Sequence, residues 1–316
     1  MKREKSVVLL NILKFMSSHK LPSSISEISI HINSNWDTTN TNLNVLINMG
    51  YVEKQKDQYK LIKSYEESKD TFFGIPMKAK DKKLTQAIFA TLQKNWKKQS
   101  NKPLNKTRAH KYAVNIANEF NLELPALWYK YGKVMLQVYD PKITYNVDIV
   151  VEYPHLRRVK QYAKDLIIQT KDKPSSYLKQ LQYAGNRLYS SNTEFCRLLA
   201  KTQFSADHKL LLKDLLYKIL FSLRKNEYNR EKIELINAFA HLFIRLLKQN
   251  ASQLKSVKSD IIKIYGDIWN LVVLMNAYES LIECDYPKEF LDLYIDFDNN
   301  IEVADQSLCE LKELAD

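Results

Sequence analysis

The sequence predicts a mainly helical protein: an N-terminal helical module closed by a hairpin, a basic helical segment with a second short hairpin, and a C-terminal irregular helical bundle with an acidic tail. Three observations predict it. Only 5 glycines occur in 316 residues, none within ten residues of another, which removes Gly-rich phosphate loops, dinucleotide-binding fingerprints and most tight-turned all-β folds. Apolar residues recur at helical spacing through most of the chain. Hydrophobic content of 45%, with 11% aromatic, supplies real cores. Because single cores stop growing at roughly 250–300 residues, two domains or a small module on a larger body are expected.

Residues 5–18 place Val7, Val8, Leu10, Ile12, Leu13 and Met16 on one helix face. Leu21 to Ser24 interrupt it, and Ser24 is positioned to cap a short second helix containing Ile25, Ile28 and Ile30. After a turn at Asn33 to Asn35, Asp37 is the expected cap of a third helix carrying Leu43, Val45, Leu46 and Met49, which Gly50 ends. The pattern then turns strand-like at Tyr51 to Lys54, passes a polar turn at Gln55 to Gln58, and returns through Tyr59 to Lys63 as a hairpin.

The pieces Ile25-Ser-Glu-Ile-Ser29, Leu46-Ile-Asn-Met-Gly50, Tyr51-Val-Glu53 and Tyr59-Lys-Leu61 stand in the order three helices, then hairpin. Over residues 1–72 the chain resembles the winged helix-turn-helix superfamily, a likeness covering about a fifth of the sequence. The resemblance implies that the third helix enters a DNA major groove while the wing meets the backbone. It points to Thr38, Thr39, Asn40, Thr41 and Asn44 as outward, base-facing residues, with Leu43, Leu46 and Ile47 inward. Asn pairs with adenine and the Thr methyl meets thymine, so an A·T-rich site is chemically suited. The helix carries no Lys or Arg; Lys54, Lys56, Lys60 and Lys63 around the wing turn are the expected phosphate contacts. Winged helices also dock proteins, and an uncharged third helix leaves that alternative open.

A linker from Ser64 to Asp81 follows, then a segment over 81–153 with helices expected at 82–98 and 106–120, a short helix at 124–132, and strands at 133–139 and 145–153. That order is either a second, degenerate winged helix or a plain basic segment with a hairpin. From 154 to 316 the chain reads as a helical bundle, with helices at 155–170, 175–189, 191–202, 207–225, 230–249, 253–283, 287–296 and 303–314. There is no fixed repeat period, so a regular solenoid is not predicted.

Charge is uneven. Residues 1–72 hold 10 basic and 8 acidic side chains, residues 73–173 hold 20 and 8, and residues 284–316 hold 2 and 10. The excess centres on Lys78, Lys80, Lys82, Lys83, Lys94, Lys97, Lys98, Lys102, Lys106, Arg108 and Lys111. Such a run either tracks a phosphate backbone through counterion release or is a solvated helical face. The acidic tail either screens this region, docks on a basic partner, or only solubilises.

Candidate chemistry is sparse. Cys196, Cys284 and Cys309 are widely spaced, which suits a reducing, cytoplasmic setting. His19, His31, His110, His155, His208 and His241 lack zinc-ligand spacing. Asp296, Asp298 and Asn300 start like a calcium loop, but Ile301 stands where glycine is required and Ser307 where glutamate is. Asp148 and Glu152 lack the following carboxylate-x-lysine element of a nuclease, and read as strand-end acids. The apolar run at 271–275 is far short of the roughly 20 residues of a membrane span, and the N-terminus is not a secretory signal. No cofactor, metal or catalytic residue is expected.

The leading expectation is therefore a non-enzymatic DNA-binding protein, a regulator or a replication or mobile-element protein. It would hold double-stranded DNA with the winged helix and basic segment, while the C-terminal helices pair with a second copy or a protein partner. The alternative is a structural, kleisin-like adaptor in a chromosome-organising or phage-defence complex. That comparison rests on architecture alone, since no second winged helix is visible at the C-terminus.

Overall fold

The computed structural model describes residues 2–19, 21–62, 70–75, 77–130, 132–201, 204–223, 229–286, 288–292, 295 and 297–315. Lys63, residues 64–69 and Pro76 of the expected linker, the predicted helix ends at 202 and 224–225, and Asp296 lie outside the described residues. The protein is mainly helical, with small sheets. Backbone contacts group it into two compact units, one comprising residues 1–127, 134–171 and 278–295, the other 128–133, 172–277 and 296–316.

In the first unit, α1 (Lys2–Ser18) is followed by β1 (Ser23–Ser24), α2 (Ile25–His31) and α3 (Trp36–Asn48), then β2 (Val52–Gln55) and β3 (Gln58–Leu61). The strands are antiparallel in the order β1-β3-β2, with Ser23 opposite Tyr59 and Lys54 opposite Tyr59 on the other side. Ser24 caps α2 as expected: its Oγ accepts the Glu27 amide, and the Glu27 carboxylate accepts the Ser24 amide at 2.7 Å. These bonds hold the Glu27 carboxyl below the usual carboxylate range. α3 is capped by Asn35, not Asp37; the Asn35 Oδ1 accepts the Thr38 amide at 2.7 Å, so the helix starts one residue before Asp37. Gly50 ends it at φ +70°, with its own amide donating to Ile47 and the Tyr51 amide to Leu46, a Schellman closure that needs the left-handed backbone. Leu9, Ile12, Leu13, Ile28, Leu43, Leu46, Tyr51 and Tyr59 fill the core beneath.

The middle segment differs from its expectation. A 3-10 turn (Phe72–Gly74) precedes α4 (Ala79–Gln99) and α5 (Lys106–Glu119), and the chain then runs without an intervening helix into β4 (Ala126–Tyr129) and β5 (Gly132–Met135). The hairpin therefore lies earlier than expected, and residues 145–153 form no strand. Side chains take the Tyr145 and Val150 amides, and the amides of 151–153 turn back to Asp148 and Ile149 in helical bonds. Gln93 of α4 donates from Nε2 to the Ile143 carbonyl at 2.9 Å and accepts the Tyr145 amide at 3.3 Å. Asp148 accepts the Val150 amide at 2.8 Å and so starts α6 (Ile149–Glu152), which a 3-10 turn (Pro154–Leu156) joins to α7 (Arg157–Thr170). Among the described residues, α4 and α5 are the two α-helices between the first hairpin and β4, so the three-helix order of the first module is not repeated there.

In the second unit, α8 (Ser175–Ala184), α9 (Arg187–Leu199), α10 (Ala206–Phe221), α11 (Arg230–Leu246), α12 (Ala251–Ser256) and the first part of α13 (Lys258–Glu283) follow the predicted stripes. The α8–α9 break falls at Gly185–Asn186 and not near residue 190, because Asn186 caps α9 by accepting the Tyr189 amide. Phe195, Phe239, Phe243 and Tyr265 form one aromatic cluster of this core. After α14 (Lys288–Leu291), the last helix, α15 (Phe297–Ala315), packs on α11 through Ala304, Leu308 and Leu311. The acidic C-terminal stretch is thus not a free tail over 297–315: its carboxylates line the outer face of an amphipathic helix. Among the described residues, no helix is long and apolar enough to cross a membrane.

Candidate nucleic-acid interface

The residues expected to meet DNA divide into three groups. On α3, Thr41 and Asn44 are exposed and Thr38 and Asn40 are half-buried. Thr39 is corrected: it is 0% exposed, with its hydroxyl donating to the Asn35 carbonyl at 2.9 Å. It stands four and seven residues before Leu43 and Leu46, on the core stripe, where helical geometry forces it inward. Ile47 is half-buried, while Asn42 is buried beside the stripe. Sequence reasoning passed over Trp36, which opens α3 at 52% exposed, and Ile30, which is 78% exposed at the end of α2.

The β2–β3 hairpin, where the wing is expected, leaves Lys54, Lys56 and Lys60 exposed. Lys56 occupies the turn at φ 57°, and the Lys54 ammonium lies 5.6 Å from the Tyr59 ring centroid. Lys54 thus shares a ribbon face with buried Val52 and Tyr59, Lys60 stands with Glu53 on the other face, and Lys56 sits in the turn between them.

The third group carries the strongest geometry. α4 buries Leu84, Ala87, Ile88, Leu92 and Trp96, and turns Lys94, Lys97 and Lys98 away from that stripe. Trp96 Nε1 donates to the Lys102 carbonyl at 2.8 Å, folding the loop after α4 back along the helix end, and buried Leu104 anchors it. Asn105 then caps α5 by accepting the Arg108 amide at 2.9 Å. This arrangement gathers Lys94, Lys97, Lys98 and Lys102 around one cleft of about 1040 Å³, whose far side is the 139–148 segment pinned by Gln93. Lys160 of α7 also lines it. Among the described residues, Asp148 is the sole acid of the lining, ion-paired to Lys160 at 3.1 Å. The Val150 amide first, and Lys160 second, hold its carboxyl below the usual range.

Seven of the eleven expected cations do not line the cleft: Lys78, Lys80, Lys82 and Lys83 stand at the start of α4, and the other three belong to α5. Lys106 is exposed on the first turn of α5 but does not line it. Arg108 and Lys111 are corrected: they are 8% and 1% exposed. Arg108 donates to the Tyr112 hydroxyl at 3.2 Å and the Thr170 carbonyl at 3.0 Å, and lies 5.3 Å from the Trp96 ring centroid. It ties α5 to α4 and α7 and is not available to phosphate. Lys160 and Tyr145 were not foreseen; their only sequence signal was proximity to Asp148, which only the tertiary fold exposes as meaningful.

Among the described residues, no three His, Cys, Asp or Glu side chains converge as a cation site. No protein-family model, curated protein or solved structure matches the chain.

Proposed function

We propose that the chain is a non-enzymatic DNA-binding protein of the regulator or replication and mobile-element type, with residues 1–62 acting as a winged helix on duplex DNA. The observation that carries nucleic-acid binding, whichever form the cleft itself takes, is the convergence of Lys94, Lys97, Lys98, Lys102 and Lys160 around it with one acid, Asp148, already paired to Lys160. Five ammonium groups held together in a soluble fold repel one another, and a polyanion that releases counterions is the ligand class that offsets this. The exposed Lys54, Lys56 and Lys60 supply a second set of phosphate contacts beside the hydrogen-bonding face of α3, where Thr41 and Asn44 share the face with the Asp37 carboxylate.

The test is titration of the full chain with labelled A·T-rich duplex at several salt concentrations. Binding should weaken with a log–log slope of about −0.9 for each phosphate contacted. A chain that binds no duplex even at low salt refutes the reading.

One observation favours the adaptor reading for the N-terminal module. Trp36 and Ile30 are exposed and α3 bears no cation, which suits a protein surface better than a phosphate-lined groove. Trp36→Ala separates the two: duplex affinity unchanged by the substitution assigns this face to protein docking.

A further inference from the structure

We infer that the α4–α7 cleft binds single-stranded nucleic acid, not the duplex. The inference rests on reading the chain as a DNA binder and specifies which form this site takes. Shape decides it. Duplex DNA offers its own grooves, and proteins read it by inserting a convex helix or ribbon into a major groove about 12 Å wide. The cleft is the reverse: concave, about 1040 Å³, and walled by the end of α4, its following loop and the 139–148 segment. That volume sits at the upper end of small-ligand pockets, roughly 300–1,000 Å³, too little for a duplex and suited to a few nucleotides of one strand.

The chemistry of the walls agrees. Lys94 and Lys98 are one turn apart on α4, with Lys97 and Lys102 beside them, so cations follow one another along the cleft. Tyr145 lines it as well, its ring stacked on Tyr139 with centroids 5.6 Å apart and its hydroxyl accepting the Asp140 amide at 3.0 Å. A tyrosine fixed at both ring and hydroxyl is a rigid stacking platform for a base, and cations with an aromatic platform are the combination that holds single strands without sequence preference.

The experiment measures anisotropy of the full chain with a labelled oligothymidylate and, separately, with a duplex. The wild-type protein is compared with Lys94→Ala/Lys98→Ala and with Lys54→Ala/Lys56→Ala; all four side chains are exposed, and circular dichroism confirms folding. The cleft pair should weaken single-strand binding by about tenfold or more and duplex binding by much less, with the wing pair doing the opposite. Ultraviolet crosslinking of an iododeoxyuridine oligonucleotide should map to the peptide holding Tyr145. Equal loss of both ligands in the cleft pair, crosslinks confined to residues 52–61, or displacement by thymidine monophosphate as effective as by the oligonucleotide each overturn the inference while leaving DNA binding intact. Failure to bind either nucleic acid overturns both.

Discussion

α4 and α5 are neighbours in sequence and in space, and both are rich in cations, yet they use them in opposite ways. α4 buries one stripe and turns Lys94, Lys97 and Lys98 to the cleft, whereas α5 is buried continuously from Arg108 to Val114 and takes Arg108 and Lys111 inside, leaving Lys106 exposed. A lysine at the end of a helix with one free face remains open to solvent. An arginine on a helix covered on several sides becomes a strut, because burying its charge is tolerable only where hydrogen-bond partners replace water. Charge density along a sequence therefore does not locate a binding surface; the number of covered helix faces does.

Several substitutions can break or sharpen this contrast. The largest effect is expected from Arg108→Ala, which strips the Tyr112 hydroxyl and Thr170 carbonyl of a buried donor and removes the contact with Trp96. It should cost about 3 kcal/mol in chemical denaturation. A loss below about 0.5 kcal/mol, the level of an ordinary surface change, would show that Arg108 is not the strut described.

His110, also on α5, comes next. Its Nε2 accepts the Tyr139 amide at 3.3 Å, so the neutral ring carries its proton on Nδ1, which is buried without a partner among the described residues. Burial chiefly, then Lys111 and Lys106, lower its pKa from 6.5 to about 3. The unfolded chain takes up a proton below its ordinary pKa while the folded chain does not, so stability is full above pH 6.5 and falls as pH drops toward 3. By about pH 4.5 the loss should reach about 2–3 kcal/mol. Urea denaturation across pH checks it: His110→Gln, which keeps an acceptor, should show a flatter dependence, and an unchanged curve removes His110 as the cause.

A smaller effect tests the joint between the two helices. Asn105→Ala removes the α5 cap and should cost about 1 kcal/mol by thermal melting, with the Lys102 loop still held by Trp96. Smallest for stability is Lys98→Ala, expected within about 0.5 kcal/mol of the parent, yet lowering the salt slope of nucleic-acid binding by about one phosphate's worth. A large destabilisation with an unchanged slope would place Lys98 with Arg108.

Local signals were legible where a few adjacent residues suffice. Ser24 and Glu27 form a capping box, Gly50 adopts the left-handed closure, and the hairpin turn falls between Gln55 and Gln58, because caps and turns are satisfied by bonds spanning three to five residues. The misplaced strands at 133–153 fail for the complementary reason. Gln93, some fifty residues upstream, takes the Ile143 carbonyl and the Tyr145 amide at the start of the expected second strand, Asp148 starts a helical turn at its end, and no local pattern announces the first of these.

By itself, the sequence determined a mainly helical chain, most helix positions, the first hairpin and the cationic character of residues 73–173, all consequences of periodicity and composition. Only the tertiary structure decided which cations are reachable: it turned Arg108, Lys111 and Thr39 inward, joined Lys160 and Tyr145 to the α4 lysines, and packed the acidic end on α11 as a helix. Which faces a helix leaves uncovered depends on how many distant segments pack against it, and those partners are assigned by the whole chain at once.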